Sequence, residues 1–152
     1  MSTAQIWQIN STSLEDTLHI AATLGRKFKG DEVLVLVSDL GGGKTAFVKG
    51  LAKGMGSAEQ VHSPTFTVSN QYSAGKLTLH HFDFYRLQDP GVLREELAEV
   101  VNDPLAVVAI EWAEIVEDVL PENRITLAIT PTGENSRELT FTYTETYAYV
   151  FN

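Results

Sequence analysis

Apolar residues along the chain switch between two periods, and the switches mark out the elements. Val33 to Val37 is an unbroken run of β-formers, the pattern of a strand buried on both faces. The period then changes: Phe47, Val48, Leu51 and Met55 recur at helical spacing, predicting an amphipathic helix broken by Gly54 and Gly56. Ahead of this pair, Ile6 to Ile9 predicts a short strand with Trp7 on its opposite side. Leu14, Leu18, Ala21, Ala22 and Phe28 form the stripe of a first helix, with Thr12 and Glu15 at capping-box spacing and Gly30-Asp31 closing it. Downstream, Phe66 to Tyr72 and Leu77 to Leu87 predict two strands joined by a turn at Ser73-Ala74-Gly75-Lys76. Pro90 opens a helix with Leu93, Leu97, Val100 and Val101 on its buried side, and Asn102-Asp103-Pro104 stops it. Leu105 to Ile110 is a second continuous apolar run. The end of the chain takes an antiparallel character: Arg124 to Thr130, a turn at Pro131-Thr132-Gly133, then Arg137 to Thr144 with Leu139, Phe141 and Tyr143 alternating. The last eight residues, ETYAYVFN, fit no pattern.

Two continuous apolar strands interleaved with amphipathic helices predict an α/β fold, a mixed sheet with a parallel core and antiparallel edge strands, flanked by helices. The chain has 152 residues, 43% of them hydrophobic, and neither a repeat nor a low-complexity tract divides it, so residues 1–152 are expected to form a single domain. No apolar run approaches the ~20 residues of a membrane span, and the start, MSTAQIWQIN, lacks the basic and apolar regions of a secretory signal. No membrane association is expected. The absence of cysteine excludes disulfides and thiolate zinc sites and fits a reducing cytoplasm. Twenty acidic residues against eleven Lys and Arg leave a formal charge of −9. Nucleic-acid backbones are gripped by clustered cations, so direct DNA binding is not expected, and any role in RNA metabolism would run through a partner.

The chemistry concentrates where the first buried run meets its helix. Gly41-Gly42-Gly43-Lys44-Thr45 between strand and helix is the context of a phosphate-binding P-loop. Glycines let backbone N–H groups converge on an anion, and the helix N-terminus adds its positive dipole end. Lys44 is expected to reach the β- and γ-phosphates, and the Thr45 hydroxyl to hold Mg²⁺. The full P-loop pattern has glycine at position 38, where this chain has Ser38; a plain glycine-rich connector is the competing reading. Asp39 is a carboxylate in a loop meant for phosphates and could simply cap its own turn. Glu111 ends the second apolar run, as a Walker B acid does beside Mg²⁺. Trp112 after it is either core or a cover for a nucleotide or a moving loop. On the predicted strand from Leu77, His81, Asp83 and Tyr85 share one face and His80, Phe82, Phe84 and Arg86 the other. His81 and Asp83 could form a metal pair, or His81 could simply hydrogen-bond at a strand end. Asp83, set among aromatic rings, needs a cation or donors if buried.

Asp39-Leu40-Gly41-Gly42-Gly43-Lys44-Thr45, His62-Ser63-Pro64-Thr65-Phe66, His81-Phe82-Asp83-Phe84-Tyr85-Arg86-Leu87 and Ile110-Glu111-Trp112-Ala113-Glu114 occur in an order and spacing that resembles the bacterial TsaE (YjeE) family. The resemblance covers nearly the whole chain. It implies a small P-loop ATPase, weak alone, required for N6-threonylcarbamoyladenosine modification of adenosine 37 in ANN-decoding tRNAs, and acting with a TsaB–TsaD complex that contacts the tRNA and carries the transfer chemistry. It implies ATP and Mg²⁺ as cofactors. By position, the backbone from Asp39 through Leu40, Gly41, Gly42 and Gly43 to Lys44, Thr45 and Ala46 is similar to the family's triphosphate cradle. Thr45 and Glu111 match its Mg²⁺ ligands, and the His62 to Thr65 loop its switch-like segment. Asp83 matches the carboxylate of the H-x-D-x-Y-R motif, Trp112 the tryptophan after the acid, and Arg137 an arginine near the nucleotide. Lys44, Asp83 and Glu111 are the expected catalytic group. Ser38 and Ala46 depart from the pattern, which more often has Gly and a second Thr or Ser there. Two other classes compete: a P-loop small-molecule kinase, against which stand scattered arginines and no lid-length insertion, and a non-catalytic nucleotide-binding module, against which stand Lys44, Thr45 and Glu111. No Asn-Lys-x-Asp motif points to GTP.

Overall fold

The computed structural model describes residues 4–38, 43–61, 69–85, 89 and 91–152. Its centre is a seven-stranded sheet built from β1 (Gln5–Ser11), β2 (Val33–Val37), β3 (Ser69–Ala74), β4 (Leu77–Asp83), β5 (Ala106–Glu111), β6 (Ile125–Pro131) and β7 (Arg137–Tyr143), in the order β1-β7-β6-β2-β5-β4-β3. The inner strands β6, β2, β5 and β4 run parallel, and β1, β7 and β3 add antiparallel edges. The expected mixed α/β sheet is therefore present. The antiparallel pairing expected at the end of the chain is present between β6 and β7, and β6 is also parallel to β2, so it carries the parallel core onward. The hairpin turn after β6 fixes only one of its two neighbours, so the second is not named by the local pattern.

Among the described residues, three helices flank the sheet: α1 (Leu14–Gly25), α2 (Lys44–Met55) and α3 (Val92–Val100). Alternation along the central strands divides the core into two layers. Leu34, Leu36, Val107 and Ala109 pack with Phe47, Val48 and Leu51 of α2 and Leu24 of α1. Val33, Val35, Val108 and Ile110 pack on the other face with Leu97 of α3. At α1 the N-cap is Ser13 rather than Thr12: Ser13 Oγ accepts from Asp16 N–H at 3.0 Å, and the Asp16 carboxylate accepts from Thr12 N–H at 3.0 Å. The capping logic holds one residue later, with Asp16 in place of Glu15. Leu14 consequently lies 59% exposed, and Phe28 enters the core from beyond the helix end.

Helices α1 and α2 pack backbone against backbone. A Cβ on Gly50 would sit 2.4 Å from the Leu18 carbonyl oxygen, and one on Gly54 only 2.1 Å from that of Ala22. Gly54, expected to break the helix, lies inside it and with Gly50 forms the contact surface, while Gly56 ends the helix as expected. The tail, unassigned from sequence, forms 3-10 turns over Glu145–Val150 that bury Tyr147 and Val150. It is anchored at the start of β2 by Glu32. That fully buried carboxylate accepts from the N–H groups of Lys29 and Gly30, each at 2.8 Å, and from the Tyr149 hydroxyl. Burial and the Glu32 carboxylate push the Tyr149 hydroxyl far above its usual pKa, so it remains a donor.

Candidate nucleotide-binding site

The C-terminal ends of β2, β5 and β4 lie side by side, the place where parallel α/β sheets bind ligands. Glu111 is in register with Leu36 on one side and Asp83 on the other. Because side chains alternate, Asp83, Glu111 and His81 all point to the face covered by α2. Gly43, at φ 105°, turns the chain into α2; it lies in the left-handed region that glycine adopts without strain, and the space beside its Cα is open. Lys44 is thus the first residue of α2, and Thr45, half-buried, follows it in the same turn.

Lys44 is only 7% exposed and sits at the positive end of the helix dipole, where a cation is disfavoured on both counts. Its surroundings compensate. Nζ lies 3.7 Å from Glu111 Oε1, donates to the Ser38 carbonyl at 3.2 Å, and stands 4.6 Å from the centroid of the Trp112 indole. The other oxygen of Glu111 meets His81 Nε2 at 2.5 Å, both groups buried. An ionised carboxylate only accepts, so Nε2 donates to it, while Nδ1 is buried with no hydrogen-bond partner among the described residues. His81 is therefore turned to Glu111 rather than paired with Asp83 around a metal.

Asp83 is half-buried and accepts from Tyr85 N–H at 2.9 Å. Burial raises its pKa above the usual carboxylate value; the Tyr85 N–H opposes this, and the neighbouring Glu111 carboxylate reinforces it. Trp112 adopts φ 57°, uncommon for a bulky residue, and its indole packs on Tyr85 with ring centroids 4.8 Å apart. Strain at the residue after Glu111 holds an aromatic plate over the Lys44 ammonium.

A recess of about 100 Å³ opens beside Gly43 and Ala46. Arg137 lines it from the start of β7, its guanidinium donating to the carbonyls of Ser136 at 2.8 Å and Gly133 at 3.3 Å. The structure thus places Arg137 and Ala46 at one cavity and Lys44, Glu111, Asp83 and Trp112 at one cluster. Asp39, Leu40, Gly41, Gly42 and the His62 to Thr65 loop lie outside the described residues. Sequence reading missed Ser13 and Thr17, which line the same recess from α1. A cap serine and a stripe threonine carry no chemical mark of their own, and only the α1–α2 packing brings them there.

Hard oxygen donors at Thr45 and Glu111, a buried cation at a helix N-terminus and an open glycine turn form a donor set that fits a phosphate group with its divalent cation. A parallel sheet with such a strand–turn–helix unit at its C-terminal edge defines a P-loop-type nucleotide-binding α/β protein. The comparisons narrow this class. The model of the family described as threonylcarbamoyl adenosine biosynthesis protein TsaE matches residues 11–139, and the chain belongs to the TsaE family. The tRNA threonylcarbamoyladenosine biosynthesis protein TsaE of Bacillus subtilis is 40% identical over 129 residues, 84% of this chain and 80% of the relative. The protein of the same name from Nostoc is 37% identical over 145 residues, 93% and 89% of the two chains. The crystal structure of YdiB from Bacillus subtilis superposes with a TM-score of 0.83 at 32% identity, covering 99% of this chain and 95% of that one.

Proposed function

We propose that residues 1–152 act as one P-loop ATPase domain in tRNA threonylcarbamoyladenosine biosynthesis, hydrolysing ATP slowly alone and faster when docked on a TsaB–TsaD pair. The observation that carries the nucleotide reading is the buried Lys44 ammonium at the N-terminus of α2, paired with Glu111. Such a cation is poised to exchange its carboxylate for phosphate oxygens. In this reading Lys44 binds the β- and γ-phosphates, together with the backbone from Asp39 through Leu40, Gly41, Gly42 and Gly43. Thr45 and Glu111 hold Mg²⁺, which neutralises charge on the phosphates when bound. His81 fixes the carboxylate of Glu111 by its Nε2–H. Asp83, with Thr65, faces the terminal phosphate, Trp112 covers the Lys44 end, and Ala46 and Arg137 border the nucleoside end in the recess.

Among the described residues, no cluster of three or more His, Asp or Glu side chains forms a self-sufficient metal site. A Mg²⁺ here relies on one or two protein ligands plus phosphate oxygens, the usual arrangement at nucleotide sites. Also among the described residues, no helix is long and apolar enough to cross a membrane. The reading places the protein in the cytoplasm, with tRNA reached only through partners. The test is an ATPase assay with purified TsaB–TsaD added, in wild type and Asp83→Ala. Partner stimulation that is lost in Asp83→Ala is expected. Absence of stimulation in wild type, or phosphate transfer to a small acceptor instead of water, would return the protein to the binding-module or kinase class.

A further inference from the structure

Three cations of this acidic chain are neutralised by ion pairs among the described residues. Arg94 pairs with Asp118, Arg124 with Glu117 and Lys44 with Glu111. Arg26, Lys49 and Lys53 are exposed and form no ion pair among the described residues. All three rim one groove of about 550 Å³ between α1 and α2. Its floor is aliphatic, formed by Leu18, Ala22 and Gly50. The groove exists because Gly50 and Gly54 bring the helix backbones together and leave no side chain over the seam. Lys49 and Lys53 are one helical turn apart, so their ammonium groups project along the same edge. The charge of the whole chain is −9, yet beyond a Debye length of about 10 Å exposed charges are screened, and the local field in the groove is set by its own rim.

We propose that this groove is a docking site for an acidic protein segment bearing a Leu or Val anchor. Carboxylates of the occupant meet Lys49, Lys53 and Arg26, and its aliphatic side chain covers Leu18 and Ala22. Glu15 closes one end and orients the segment by repelling its carboxylates from that side. RNA fits the groove less well: single-stranded nucleic acid is held by several aromatic platforms as well as cations, and among the described lining residues the His19 imidazole is the single aromatic ring. The same two helices supply Ser13, Thr17 and Ala46 to the recess, so a partner seated in the groove bears on the elements around the nucleotide site. The groove chemistry stands without the ATPase reading, and its test involves no nucleotide turnover.

The experiment measures fluorescence anisotropy of a short labelled Glu/Leu peptide with the full chain, against a Lys/Leu peptide and a labelled oligouridylate. The Glu/Leu peptide is expected to bind best, more weakly as salt rises, and roughly tenfold more weakly to Lys49→Glu/Lys53→Glu, about the loss of two exposed charge contacts. Lys49→Ala/Lys53→Ala, which adds no repulsion, is expected to lose part of that factor, with circular dichroism confirming that both variants fold. No binding of the Glu/Leu peptide, equal binding of the Lys/Leu peptide, or affinity unaltered in both folded variants overturns the proposal. Tighter binding of oligouridylate also overturns it and assigns the groove to RNA.

Discussion

At the scale of single residues, the site is a chain of compensations around Glu111. Its carboxylate is buried, with an ammonium facing one oxygen and an imidazole nitrogen the other. Removing one partner of a buried charge leaves a desolvated group unsatisfied, which costs more than the bond itself returns. His81→Phe keeps the ring shape and deletes the donor. The variant is expected to lose about 2 kcal/mol in urea denaturation, with an unchanged m-value. Wild-type stability in His81→Phe would mean that Lys44 alone satisfies the carboxylate. This relation was only half legible in the sequence. The alternation of His81 and Asp83 was visible as a strand face, but the neighbour that completes the hydrogen bond comes from β5, thirty residues away along the chain. Strand adjacency is a tertiary fact, and a single strand's pattern names its faces without naming what lies beside it.

Among the elements, strand β2 and helix α2 were legible as a pair. Its apolar periods differ and its glycines fall at the change of period, and the observed bounds, Val33–Val37 and Lys44–Met55, follow. The parallel neighbour ending in Glu111 was legible for the same reason. What escaped was the meaning of Gly50 and Gly54. A glycine inside a helix reads as a weakness worth about 1 kcal/mol against alanine, whereas here it permits contact with the α1 backbone. The two readings predict opposite signs. Gly54→Ala would stabilise a free helix by about 1 kcal/mol. In this fold the added Cβ meets the Ala22 carbonyl, and overpacking of this kind costs roughly 1–3 kcal/mol. A lowered melting temperature is expected, and a raised one would show that α1 and α2 separate freely. The tail was illegible because its anchor is Glu32, a buried carboxylate that looks like an ordinary surface acid in the sequence.

For the whole molecule, stability depends on pH through groups away from the site as well as through Asp83. His80 lies on the α3 face of β4, and burial lowers its pKa, with Glu96 and Asp103 partly opposing. A folded pKa below the unfolded value means that the unfolded chain binds the proton more readily. The contribution of His80 is therefore present above the unfolded value of about 6.5 and is lost as pH falls through the folded pKa. Denaturation midpoints between neutral and mildly acidic pH are expected to fall less steeply in His80→Phe than in wild type. An identical slope would place the acid sensitivity elsewhere. At the C-terminal edge of the sheet, α2 and β5 bring a buried ammonium and a buried carboxylate to 3.7 Å of each other. The most direct measurement is calorimetric titration of ATP with Mg²⁺ into wild type and Lys44→Ala, both shown folded by circular dichroism. Loss of a charge-assisted phosphate contact predicts a drop of at least about 2 kcal/mol, roughly thirtyfold in affinity. ATP binding of wild-type strength in folded Lys44→Ala would contradict a phosphate site built on that ammonium.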